Sequence, residues 1–129
     1  MIERMVETLD SGEDSFEDWG TGKAIRDFLH VDDAAIALHL LLEFGSPASV
    51  TNVGSGREMS IFESTRSLAR ISGFSGKIKF GKTRPDGSPR RVLDIGRLKK
   101  LGWLGPTNFE SQLADVWAFA NMRDKTFEP

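Results

Sequence analysis

The feature that most constrains this sequence is a repeated alternation: a short strand-like run, a polar cap, a helical stretch, and a glycine that ends it. Asp27-Phe28-Leu29-His30-Val31 reads as a strand, with Asp32 or Asp33 as the cap of a helix from Ala34 to Phe44 that stops at Gly45. An aspartate oxygen accepts from the free amides of a first helical turn, and glycine is the usual residue past the last one. Ile36 and Leu40 lie among residues that are mostly apolar on both sides of the helix, which predicts a mostly buried helix. Val50-Thr51-Asn52-Val53 reads as a second strand, interrupted by Gly54-Ser55-Gly56, and Ser60-Ile61-Phe62-Glu63 is a capping box opening a helix that ends at Gly73. Lys77-Ile78-Lys79-Phe80 makes a third strand, after which Arg84 to Pro89 is turn-rich and Asp94 caps a short helix closed by Gly102.

Helical spacing also marks both ends of the chain. Ile2, Met5, Val6 and Leu9 repeat with that period before Ser11-Gly12, so the chain opens inside something already helical. Thr107-Asn108-Phe109-Glu110 is a second capping box, leading into a helix with Phe109, Leu113, Val116, Trp117 and Ala120 along one face. The acidic stretch from Glu13 to Asp18, followed by Trp19-Gly20-Thr21-Gly22, reads as a loop. The expectation is an α/β (α+β) fold of about five helices and several short strands, forming one domain over residues 1–129.

Composition narrows the chemistry. With 39% apolar residues, three Trp and nine Phe, the 129 residues can build a core unaided. Seventeen basic and nineteen acidic side chains are interspersed and leave a net charge of −2, which favours neither nucleic acid nor an anionic membrane. There is no cysteine, and His30 and His39 stand alone, so disulfides, thiolate zinc sites and histidine-rich metal sites are not expected. No apolar run approaches the roughly 20 residues that cross a bilayer, and Met1-Ile2-Glu3-Arg4 lacks a signal-peptide layout. These features predict a cytoplasmic protein.

A dinucleotide site needs Gly-x-Gly-x-x-Gly between a strand and a helix, because bare backbone must approach the pyrophosphate. Trp19-Gly-Thr-Gly leads into a strand instead, and Gly54-Ser-Gly56 lacks the third glycine, so both read as structural turns. Tyrosine is absent from the chain, which removes tyrosine-based proton transfer. What remains is a set of cationic, aromatic and acidic loop residues: Arg4, Trp19, Arg26, Asp86, Arg90 and Arg91. Guanidinium groups pair with phosphate oxygens, an indole walls in a base or sugar, and a carboxylate holds hydroxyl or NH groups. Singly, each has an ordinary structural role: solvated charge for the arginines, core anchor for Trp19, turn residue for Asp86. Asp32 and Asp33 read as caps rather than an acid pair, and His30 as structural.

Read together, these stretches resemble a known family. Trp19-Gly-Thr-Gly-Lys-Ala-Ile-Arg26-Asp-Phe-Leu-His-Val-Asp-Asp33 looks like the segment that extended short-chain dehydrogenases/reductases carry after their catalytic half, and Thr51-Asn-Val-Gly-Ser-Gly56 behaves likewise. Arg84-Pro-Asp-Gly-Ser-Pro-Arg-Arg-Val-Leu-Asp-Ile-Gly-Arg-Leu-Lys-Lys-Leu-Gly-Trp103 closely resembles the Lys-Pro-Asp-Gly-Thr-Pro-Arg-Lys run, ending in Leu-Gly-Trp, of GDP-L-fucose synthases. The resemblance implies a carboxy-terminal substrate-binding segment plus the last elements of a Rossmann domain, with the Rossmann cofactor half absent.

In that family the full enzyme uses NADP(H) to convert GDP-4-keto-6-deoxy-mannose to GDP-L-fucose. The resemblance implies substrate contacts at Arg4, Trp19, Arg26, Asp86 and Arg91, the last where the family usually carries lysine. It places the catalytic histidine shortly before Met1 and the Gly-rich loop and Ser/Tyr/Lys set further upstream, so no catalytic, cofactor-binding or metal-binding residue is expected here. The implied function is a GDP-sugar-binding portion inactive by itself, expected as a homo-oligomer or with a separate Rossmann-domain chain. The alternatives are a stand-alone binding or oligomerisation module, or a fragment of a UDP- or dTDP-sugar epimerase/dehydratase.

Overall fold

The computed structural model describes residues 1–81 and 87–123, and these fall into two compact units. The first is built from Met1–Ala24, Ser60–Pro89 and Asn108–Pro129, the second from Ile25–Met59 and Arg90–Thr107. The architecture is the mixed α/β one expected, with helices α1 to α5 and short strands β1 to β5 among the described residues.

In the first unit α1 (Ile2–Asp10), α3 (Ile61–Ser72) and α5 (Phe109–Arg123) accompany a parallel pair, β1 (Ser15–Trp19) with β4 (Lys77–Gly81). Met5, Phe16, Leu68, Ala69 and Leu113 form its core, with Ile78, Phe74 and Trp117 packed around them. Full burial of a side chain such as Phe16 stabilises by about 1.5–3 kcal/mol, and its ring also meets Phe74 edge-on at 6.4 Å. The capping box at Ser60 and Glu63 forms as expected, and Gly73 closes α3 in the left-handed conformation.

The acidic stretch expected to be a loop holds β1 instead. Phe16 and Asp18 point inward while Glu17 and Trp19 point outward, the two-residue alternation of a strand. Asp18 on the inward face hides that alternation from a hydrophobicity count. Beyond β1, Gly22 takes φ 74°, and a Cβ there would come within 2.7 Å of the Phe80 ring, so both turn and packing require glycine.

In the second unit β2 (Ile25–Arg26) pairs in parallel with β5 (Arg90–Arg91), in a sheet of order β3-β2-β5 with β3 at Met59–Ser60. Helices α2 (Val31–Phe44) and α4 (Gly96–Lys100) supply Ala37 and Leu98 to a core completed by Ile95 and Trp103. The strand expected from Asp27 to Val31 is shorter and earlier, because His30 is the N-cap of α2, its Nδ1 accepting the Asp32 amide at 3.3 Å. Asp33 does not cap. It is 2% exposed and accepts from the amide and hydroxyl of Thr107 at 3.1–3.2 Å.

Three further expectations are corrected. Val50 to Val53 form no strand: the Val50 carbonyl accepts from Arg97 at 2.5 Å, and Asn52 donates to the Asp94 carbonyl at 3.0 Å, so side-chain bonds stand where a ladder was expected. The α5 cap is Asn108, whose Oδ1 accepts from Glu110 and Ser111 at 2.8 and 3.3 Å, since Thr107 is engaged with Asp33. Helix α2 is not mostly buried, for Ile36, Leu38, Leu42 and Phe44 are all more than half exposed. Asp94 does bond the Gly96 amide at 2.8 Å, one residue before the N-cap Ile95.

Candidate functional site

In the first unit, Arg4 and Trp19 come together. Arg4 projects from α1, and its guanidinium lies over the Trp19 ring at 4.4 Å from the centroid and over Phe16 at 5.3 Å. The same group donates to the Glu17 carbonyl at 2.6 Å and to Asp18 Oδ1 at 2.5 Å. Asp18 also accepts the Trp19 amide at 2.9 Å and the Thr65 hydroxyl at 2.6 Å, so one buried carboxylate fixes both the arginine and the backbone of the tryptophan. Trp19 remains 53% exposed, at the rim of an open cleft of about 560 Å³ that Glu7, Glu13, Ser15 and Lys79 also line. The cleft thus combines an aromatic wall, a guanidinium and several hydroxyl-binding groups, the mixture that suits a sugar or a base.

In the second unit, Arg26 and Arg91 are register partners on β2 and β5, with Ile25 opposite Arg90. Register partners share a sheet face, and adjacent strands lie about 4.8 Å apart, so two guanidinium-bearing residues stand side by side. Arg26 is half-buried and donates to the Ile25 carbonyl at 2.8 Å, while Arg91 is exposed. Arg90 is committed elsewhere: its Nε and Nη2 reach Glu58 Oε1 at 3.2 and 2.5 Å. That pair holds the Glu58 carboxyl below its ordinary range, chiefly through the hydrogen bond from Arg90 and then through its charge. A planar guanidinium pairs with phosphate oxygens, and a diphosphate offers oxygens to both residues.

Asp86 lies outside the described residues. The Gly54-Ser55-Gly56 turn, which resembles a phosphate loop only in part, already has an internal anion: the Ser55 and Gly56 amides donate to Asp27 at 2.8 and 3.3 Å. Asp18, Asp27 and Lys79 escaped sequence reasoning. An aspartate inside a strand and one following an arginine carry no local signal, because their partners lie 28 to 47 residues away. No cluster of metal-ligating side chains occurs among the described residues, and no helix there is long and apolar enough to cross a membrane.

The model of the NAD dependent epimerase/dehydratase family matches residues 1–54. GDP-L-fucose synthase 1 of Arabidopsis thaliana is 36% identical over 117 residues, which are 91% of this chain and 36% of that protein. GDP-L-fucose synthase of Escherichia coli K12 is 39% identical over 108 residues, covering 77% of this chain and 34% of that protein. The chain therefore spans about a third of the length of the curated relatives it matches. The crystal structure of a GDP-L-fucose synthetase from Naegleria fowleri bound to NADP superposes with a TM-score of 0.84 at 20% identity, over 97% of this chain and 40% of that one, and shares its fold. Over most of its length the chain is similar to the GDP-L-fucose synthases, its residues 1–54 match the NAD dependent epimerase/dehydratase family, and it shares the fold of the Naegleria synthetase.

Proposed function

We infer that this chain is a sugar-nucleotide-binding segment that takes a GDP-sugar and does not carry out hydride transfer by itself. The observation that carries the reading is the register pairing of Arg26 with Arg91, which sets two cations side by side in a form suited to a diphosphate. Trp19, backed by Arg4, supplies a planar wall for a sugar or base, and Asp86 is assigned to ligand hydroxyl or NH groups by resemblance alone. The chain has no tyrosine to move a proton, and the Ser55 and Gly56 amides already serve Asp27. NADP(H) is assigned to the full-length family rather than to these residues, in keeping with the NADP-bound Naegleria relative. Location in the cytoplasm is part of the same proposal.

Calorimetric titration with GDP, UDP and dTDP tests this reading. GDP is expected to bind tightest, and Arg26→Ala or Arg91→Ala is expected to weaken it about tenfold or more, since a hydrogen bond to a charged group contributes about 1.5–3 kcal/mol. Tighter binding of UDP or dTDP would turn the assignment to a UDP- or dTDP-sugar enzyme, and equal binding of all three would remove the assignment to GDP. Unchanged affinity in both arginine variants would remove the site.

A second reading, a non-catalytic oligomerisation module, draws on the exposed apolar side chains of α2, Leu42 at 86% and Phe44 at 60% among them. It commits to a second copy of this chain as the occupant. Sedimentation should then show a dimer or larger species that Leu42→Glu converts to monomer, whereas a wild-type monomer at high concentration rules this reading out.

A further inference from the structure

The β2–β5 ladder is only two residue pairs long, Ile25 with Arg90 and Arg26 with Arg91. So short a pairing is a weak holder of its own register, and in a sheet a slip of one residue turns every side chain to the opposite face. Asp27, the residue after Arg26, supplies what the ladder lacks. Its Oδ1 accepts from the Ser55 amide at 2.8 Å and from the Ser55 hydroxyl, and its Oδ2 accepts from the Gly56 amide at 3.3 Å. The Leu93 amide, two residues beyond Arg91, lies 3.5 Å from the same Oδ2. One carboxylate thus ties the end of β2, the Gly54–Gly56 turn and the stretch following β5. The packing leaves no slack: a Cβ at Gly54 would lie 2.8 Å from Oδ2 and 3.3 Å from the Leu93 side chain. Among the described residues each hydrogen-bond partner of the carboxylate is a donor, which suits an acceptor-only side chain.

We propose that Asp27 is the positioning residue of the arginine pair: by gathering the Ser55, Gly56 and Leu93 amides it holds β5 in register against β2 and sets the spacing at which Arg26 and Arg91 meet a diphosphate. The ligand half of this statement rests on the nucleotide-binding reading above. The clamp itself does not.

Asp27→Asn keeps the shape of the side chain but turns an NH₂ group against a cluster of donors. In the full 129-residue chain, amide hydrogen exchange at Arg91 and Leu93 is expected to accelerate about tenfold or more, while the β1–β4 ladder of the first unit keeps its protection. Affinity for GDP is expected to fall about tenfold, and in an Arg91→Ala background Asp27→Asn is expected to add little, because coupled residues are non-additive. A residue needed only for folding would lower affinity equally in both backgrounds, so additive effects overturn the proposal. Unchanged exchange at Arg91 and Leu93 overturns it whether or not nucleotide binds. If wild-type protein binds no nucleotide while Asp27→Asn still loosens Arg91 and Leu93, the nucleotide reading fails and the clamp stands. Should Asp27→Asn fail to fold, Ser55→Ala removes one donor to the same oxygen and is expected to shift exchange in the same direction by a smaller factor.

Discussion

Thr65 donates its hydroxyl to Asp18 Oδ2 at 2.6 Å, linking a side chain with no exposed surface to a carboxylate that is 4% exposed. The Ile61 carbonyl is also within 2.8 Å of that hydroxyl, but a single proton serves the stronger acceptor, and the charged carboxylate is the stronger one. The bond matters beyond its own energy, because Asp18 fixes Arg4 and the Trp19 amide with its other oxygen.

Thr65→Val preserves shape and removes the donor. Leaving a buried acceptor short of a partner costs about 1–3 kcal/mol, which lowers the melting temperature by several degrees in a protein of this size. Thermal denaturation followed by circular dichroism reads this directly. An unchanged melting temperature would mean that Arg4 and the Trp19 amide satisfy the carboxylate without Thr65.

A second prediction separates two capping residues that are adjacent in sequence. Asn108 caps α5, so Asn108→Ala is expected to cost about 1 kcal/mol and to raise amide exchange in the first turn of α5. Thr107→Ala is expected to act elsewhere, on the buried Asp33 that it serves with both its amide and its hydroxyl. If Thr107→Ala frays α5 and Asn108→Ala does not, the cap has been assigned to the wrong residue.

The same contrast explains how far the sequence was legible. Signals completed within a few residues were readable: the Ser60–Glu63 box, Gly73 at the end of α3, the apolar spacing of α1, and that of α5 at Phe109, Leu113 and Trp117 though not at the exposed Val116. Misreadings arose where a distant partner took over a local group. Asp33 looked like a cap until Thr107, 74 residues away, claimed it, and Asp18 concealed β1 because a buried charge breaks the apolar alternation. For the site, the arginines stood out by residue type, but the pairing of Arg26 with Arg91 exists only once β2 and β5 align across the intervening chain.

Acid titration should report on Glu58. Arg90 depresses its carboxyl pKa in the folded chain below the ordinary 4.5, so the pair's contribution is complete above that value and is lost as pH falls through the lower folded value. Glu58→Gln is expected to flatten this part of the pH–stability curve while leaving neutral-pH stability nearly unchanged, as is usual for an exposed pair. Chemical denaturation at a series of acidic pH values checks it. A variant with the same acid slope as wild type would show that the Arg90 pairing does not persist in solution.

Trp103 offers the last test, because its indole combines deep burial with an unmet donor. It is 6% exposed in the cluster with Ala37, Ile95 and Leu98, yet its Nε1–H has no acceptor among the described residues. An unsatisfied buried donor costs about 1–3 kcal/mol, so Trp103→Phe gives up contact area but removes that penalty. The two effects oppose each other, and the net change is expected to stay within about 1 kcal/mol. Leu98→Ala, in the same cluster and with no compensating gain, is expected to cost about 2–5 kcal/mol. Urea denaturation of both variants decides the comparison: a Trp103→Phe loss as large as that of Leu98→Ala would mean that the indole N–H is satisfied in solution and holds the second unit together through a polar contact as well as through packing.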